Sequence, residues 1–404
     1  MEINSNIPNI KQHNLSINPS YNAVQINMKK PTVNAPAPSM IYGYPQADGQ
    51  IYYHPANHTT TTKENGNFVR IPSGVEDYKN YSEYDKSGKE VASVKYSKEG
   101  NYIVQTIKTK SPDGTSLEKT LKNSPNFKHS NIIIKDKDGN ILLDKEKSYQ
   151  KFDNDKAQTI VNGETYNISG LSGNVLKVEH NGNETIIDLN KMLNPDVKLL
   201  KLMTPPEKLK IRDTKITNEE KEKLFNRIKS LGGDDLIRLS KSVEHIQFLD
   251  DKSIESFFID SQKTLLLSPK DWENTHLVTE HELGHAIVNS GLESEQKEIL
   301  SDREPFKSVR EYERENFKNN SNMTNGDKLF ESKFMFGDPD FDWNDEEHGD
   351  LESTLRNETF AESYNNLNSM DIIHYYDEVL PMRTLSLFKY MPKTMIEVEK
   401  LSQI

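Results

Sequence analysis

The stretch HLVTEHELGHAIVNSGL, His276–Leu292, decides how this chain is read. Within it, HELGH places His281 and His285 four residues apart, with Glu282 directly after the first. Asn274 or Thr275 can cap a helix that runs to about Asn289 and stops at Gly291. Positions i and i+4 of a helix share a face, so both imidazoles point the same way, at the spacing two ligands of one metal ion require. Glu282 is rotated by one residue. It lies beside the coordination position such a site leaves open, where a carboxylate can take a proton from metal-bound water. Leu277, Val278 and Ile287 are available to the core. A glycine inside a helix costs roughly 1 kcal/mol relative to alanine, so Gly284 predicts a packing or access requirement at that point.

A catalytic tetrahedral site needs a third protein ligand, with one position left for water. The chain has no cysteine, so the donors must be histidines and carboxylates. The stretch LRNETFAESYNNLNSM, Leu355–Met370, reads as a second helix with Glu358 and Glu362 on one face. Glu358 is expected to complete the metal site. Glu362 is expected to sit behind it and accept the free ring N–H of a ligand histidine, which fixes the tautomer and makes the ligand more basic. The expected cofactor is one Zn2+ per chain.

Farther out, 404 residues allow two or three domains. Residues 1–72 are rich in Asn, Pro, Ser and Thr, lack apolar periodicity, and read as a disordered leader. Residues 73–192 alternate apolar and polar positions between turns that carry Asp-Gly or Asn-Gly, which predicts an antiparallel β domain. Its many lysines are assigned to a solvated strand face. Residues 193–216 carry three prolines and read as a linker. A capping box, Thr217 with Glu220, then opens a helix that closes at Gly232. HIQFLDD and ESFFIDSQKTLLLSP are short β runs ahead of the motif, and the remainder is mostly helical. The expected fold class is α+β, with a catalytic domain over 217–404.

Other features are assigned plainer roles. The heavily charged segment 295–320 reads as an exposed insertion able to act as a lid. The segment 337–352 has eight acidic residues and no Lys or Arg. It begins like a calcium loop, but Trp343 stands where glycine is needed and Gly349 where a chelating glutamate belongs, so it is read as a solvated acidic loop. Trp272 is assigned to packing, and His180 and His245 receive no role. A net charge of −12 argues against nucleic acid as a partner and leaves a protein or peptide substrate. No run of 18 apolar residues predicts a membrane span. The first residues lack the basic head and apolar core of a classical signal peptide. A cytoplasmic location and export independent of a signal peptide both remain open.

Taken together, HELGHAI at 281–287, ETFAESY at 358–364 and YMPKTMIEVEKL at 390–401 resemble the catalytic domain of the anthrax lethal-factor-like gluzincin peptidases. The resemblance covers about residues 210–404. It implies a zincin-like fold and a zinc-dependent, toxin- or effector-like endopeptidase of narrow specificity. His281, His285 and Glu358 become ligands, Glu282 the general base and Glu362 a partner behind the ligands. The family's oxyanion-stabilising tyrosine falls on Leu351 in this sequence. His348, Tyr364, Tyr375 or Tyr376 would have to substitute, and His348 is preferred because it leads into the ligand helix. The alternative implied by that departure is a zinc-binding pseudo-peptidase that acts as a binding or adhesion module.

Overall fold

The computed structural model describes residues 43–45, 51–53, 58–62, 68–72, 81–84, 88–152, 155–193, 217–248, 256–259, 263–267, 278–290, 298–318, 335, 351–372 and 379–403. The protein is α+β. Among the described residues, fourteen strands form one antiparallel meander in which each pairs with the next along the chain. They are β1 (Gly43–Pro45), β2 (Ile51–Tyr53), β3 (His58–Thr62), β4 (Phe68–Pro72), β5 (Tyr81–Tyr84), β6 (Glu90–Glu99), β7 (Tyr102–Lys110), β8 (Ser116–Ser124), β9 (Phe127–Lys135), β10 (Ile141–Lys151), β11 (Lys156–Val161), β12 (Glu164–Ser169), β13 (Val175–His180) and β14 (Asn183–Asp188). The predicted Asn-Gly hairpins are present. Asn162 and Gly163 join β11 to β12 with φ of 49° and 86°, and Asn181 and Gly182 join β13 to β14 with φ of 49° and 76°. Positive φ at both central residues is the geometry whose twist matches the flanking strands.

One expectation about this region is corrected, that of the solvated lysines. The strands β1–β4, at 43–45, 51–53, 58–62 and 68–72, fall within the segment read as a leader. The runs IYY, HTTTT and FVRIP are β-branched and aromatic, and β3 and β4 pair from His58↔Pro72 to Thr62↔Phe68. The lysines are not all solvated. Lys119 on β8 and Lys145 and Lys147 on β10 are only 1–2% exposed. Lys119, Ile132 and Lys145 stand in one row across β8, β9 and β10, and Ser130 and Lys147 pair in a neighbouring row. This face is covered by helices rather than water. A buried ammonium is tolerated only with partners, and the helices supply them.

The helices are α1 (Leu189–Met192), α2 (Asn218–Lys229), α3 (Gly233–Ser242), α4 (Val278–Ser290), α5 (Phe306–Lys318), α6 (Leu351–Asn368), α7 (Val379–Tyr390) and α8 (Pro392–Leu401). Between α3 and α4 lies a three-stranded sheet of β15 (His245–Phe248), β16 (Phe257–Ile259) and β17 (Thr264–Leu267). β17 is central and parallel to β15, while β16 is an antiparallel edge strand against which α4 packs. α3 lies on β11–β14 and α7 on β7 and β8. One cluster of buried apolar side chains runs from Val94 and Ile132 in the large sheet, through Leu283 and Phe360, to Val398. Sheet and helices therefore share a core. No described helix is long and apolar enough to cross a membrane.

The charged segment expected to be an exposed lid is also corrected over its described part. α5 buries Phe306, Arg310, Glu313 and Phe317. Glu313 accepts hydrogen bonds from the Lys393 and Thr394 backbone N–H groups at 2.9 Å each, and from the Thr394 hydroxyl at 2.7 Å. It thereby satisfies the first donors of α8, which opens on Pro392.

Candidate metal centre

Two helices build the centre, α4 with the histidines and α6 with the glutamates. They pack closely, and Gly284 is the reason they can. A Cβ at Gly284 would stand 2.7 Å from the Ala361 Cα and 2.9 Å from the Ala361 carbonyl oxygen. The glycine between the two histidines and the alanine between the two glutamates let the helix backbones approach at this point.

That approach brings three donors together. The Nε2 atoms of His281 and His285 are 3.1 Å apart, with ring planes 85° to one another. The Glu358 carboxylate places Oε2 3.6 Å from the His281 Nε2 and Oε1 3.4 Å from the His285 Nε2. His281, His285 and Glu358 form the group that could hold a metal ion among the described residues.

The opposite ring nitrogens are both occupied. The His281 Nδ1 lies 3.1 Å from Glu362 Oε2, and the His285 Nδ1 lies 2.8 Å from Asn357 Oδ1. A carboxylate or amide oxygen only accepts, so each Nδ1 carries the hydrogen and each Nε2 presents its lone pair inward. Two lone pairs facing each other at 3.1 Å repel unless a cation lies between them. Without metal, a proton does this. Burial opposes charge on His281, but hydrogen bonds to Glu358 and Glu362 outweigh it and raise its pKa to about 10. Burial likewise opposes charge on His285, and the negative charge of Glu358 overcomes it, so that pKa is raised too. A metal cation at this point would replace the proton.

Glu282 is 5% exposed on α4, and its negative charge acts on both histidines. The preceding turn is fixed from outside. Glu280 takes the Arg227 guanidinium through both of its oxygens, and Arg227 also reaches Asp371 just beyond α6 at 2.5 Å. Asp371 in turn takes Lys128 of β9 at 2.5 Å.

The structure thus brings together His281, Glu282, His285, Glu358 and Glu362. Tyr364 is removed from the oxyanion candidates. It is fully buried, and its hydroxyl donates to Asp235 Oδ1 at 2.5 Å, on the α3 side. Burial and the Asp235 charge hold its pKa well above the phenol range. His348, Tyr375, Tyr376, Trp272 and most of the acidic loop lie outside the described residues. Leu351 is the first residue of α6. His180 stacks on Tyr166 and pairs with Glu164, and no metal group includes it or His245 among the described residues. Asn357 and Arg227 were not picked out from sequence. Asn357 had a signal, because it directly precedes Glu358 on a helix facing the histidines. Arg227 had none. No family model, curated protein or solved structure matches the chain.

Proposed function

We propose that the chain is a zinc-dependent endopeptidase of the lethal-factor-like gluzincin type, with a zincin-like catalytic unit over 217–404. The observation that carries this is the convergence of three donors, one atom from each of which lies within 4.8 Å of the other two. Zinc held tetrahedrally by bonds of about 2.0–2.1 Å has ligand atoms about 3.3 Å apart; the two Nε2 atoms are 3.1 Å apart, and the Glu358 carboxylate turns one oxygen to each, Oε1 at 3.4 Å from His285 and Oε2 at 3.6 Å from His281. Two histidines and one glutamate make a three-ligand set, as in catalytic zinc sites, which keep a fourth position open.

Zinc, when bound, supplies a Lewis acid that polarises a peptide carbonyl and acidifies water. The chain's own residues supply the rest. Glu282 takes a proton from the attacking water and returns it to the leaving amine. Glu362 and Asn357 hold the two imidazoles in the ligating tautomer. β16, the edge strand beside α4 among the described residues, can pair with an extended substrate and present its scissile bond to the site. His348 is the proposed oxyanion partner, and a protein or peptide of narrow specificity is the proposed substrate.

The second reading is a zinc-binding pseudo-peptidase that acts as a binding module. The position of Leu351, together with the engagement of Tyr364 by Asp235, favours it over any scheme that uses Tyr364. Glu282→Gln separates the two. The peptidase reading expects hydrolysis of a broad peptide library by wild type, a loss of at least about 100-fold in the variant, and equal metal content in both. Wild type that binds metal yet cleaves nothing supports the second reading, and a fully active variant excludes Glu282 as the base.

A further inference from the structure

A continuous path of hydrogen bonds runs from the large sheet to a metal-ligand histidine. The Lys119 ammonium on β8 donates to the carbonyl oxygens of Asn366 and Ser369, at the C-terminal end of α6, at 2.6 and 3.0 Å. The side chain of Asn366 donates to Glu362 Oε1 at 3.0 Å and to the Glu362 carbonyl at 2.9 Å. The other oxygen of Glu362 accepts from the His281 ring at 3.1 Å. Every member before His281 is buried: Lys119 is 1% exposed, Asn366 4% and Glu362 2%.

Two more lysines on the same face reinforce this attachment. Lys145 donates to Asn368 Oδ1 at 2.9 Å and pairs with Glu399 of α8 at 2.5 Å. Lys147 pairs with Asp235 at 2.5 Å, the carboxylate that also takes the Tyr364 hydroxyl. All three ammonium groups end on residues 364–369 of the α6 segment, or on the carboxylates that bind them. Cations at a helix C-terminus satisfy its last carbonyls and oppose its dipole.

We infer that the fourteen-stranded sheet is the positioning base of the metal centre, with Lys119 and Asn366 as positioning residues that hold Glu362, and through it His281, in ligating orientation. The sheet then supports the catalytic unit rather than acting as a separate binding module. This inference rests on the metal-site reading proposed above. Buried amines need a structural reason, and holding one helix in register against another is such a reason. Sheet residues that do not reach α6 have no such influence on the metal.

The test uses the full chain loaded with Co2+ as a visible probe. Three variants, Lys119→Met, Asn366→Ala and Val94→Ala, are compared with wild type by chelator competition, by the cobalt absorption spectrum and by thermal melting. Val94 is a buried residue of β6, two strands from Lys119. It controls for general loss of stability. The expected result is an affinity loss of about tenfold, the lower end for partners outside the ligand shell, in Lys119→Met and Asn366→Ala. The cobalt bands should shift in both. Val94→Ala should melt earlier and bind cobalt as wild type does. If Lys119→Met does not fold, Asn366→Ala decides the matter. Unchanged affinity and spectrum in the folded variants, or an equal loss in Val94→Ala, overturn the inference. Wild type that takes up no cobalt overturns the metal-site reading and this inference with it.

Discussion

At the scale of single residues, Gly284 and Glu282 do unlike work inside one motif. Glu282 contributes a carboxylate, whereas Gly284 contributes the absence of one carbon. Alanine at 284 gains roughly 1 kcal/mol of helix propensity. It must also place its Cβ 2.7 Å from the Ala361 Cα, and overpacking of this kind costs about 1–3 kcal/mol. That neighbour is backbone and cannot swing aside, so the steric cost should win. Gly284→Ala should melt a few degrees lower than wild type and bind metal more weakly, because separating α4 from α6 moves the histidines from Glu358. Equal or raised Tm with unchanged metal affinity would show that the approach is not constrained there. The HELGH and ETFAES residues were legible in sequence because their chemistry depends on i, i+4 spacing within each helix. Asn357 was not singled out. A neutral amide beside a glutamate looks like any polar helix residue until the opposing histidine is placed.

At the scale of elements, α5 shows what charge-rich sequence conceals. Its buried residues, Phe306, Arg310, Glu313 and Phe317, fall at spacings of four, three and four, the stripe of a helix with one covered face. Their charges made the segment read as exposed, since a buried carboxylate that caps another helix looks the same in sequence as a solvated one. Burial raises the Glu313 pKa from 4.5 to about 7, against the opposing effect of its bonds to Thr394 and Lys393. The folded state thus holds this proton more tightly than the unfolded chain. The associated stability is complete below the unfolded value, near 4.5, and is lost as pH rises to about 7 and just beyond. At 1.36 kcal/mol per unit this amounts to about 2–4 kcal/mol. Glu313→Gln lacks the titration. Its Tm relative to wild type should therefore climb across pH 4.5–7.5 and level off above that. A difference independent of pH would show that the carboxyl titrates normally. The Asn-Gly hairpins, by contrast, were legible, because two adjacent positive φ values admit few residue types.

At the scale of the whole molecule, the buried lysines tie the large sheet to the helices. Alternation correctly predicted strands, but it could not tell which face water touches. Lys119, Lys145 and Lys147 take the same period-two positions they would hold on a solvated face. Their partners, Asp234, Asp235, Glu399 and the end of α6, all lie more than 80 residues away in sequence. A shared core joined by such pairs should unfold as one unit. Calorimetry on the full chain should show one transition. Saturating zinc should move all of it upward, by about 2.7 kcal/mol at one hundred times Kd. Two transitions, only one of them responsive to metal, would show that the sheet folds independently of the site.

His281, His285 and Glu358 are proposed to hold one zinc ion. Elemental analysis of wild type and Glu358→Ala, purified side by side without added metal, puts this to the test. One zinc per chain is expected in wild type, with a sharp reduction in the variant. A wild type devoid of zinc even after reconstitution, or a variant that keeps a full equivalent, would contradict it.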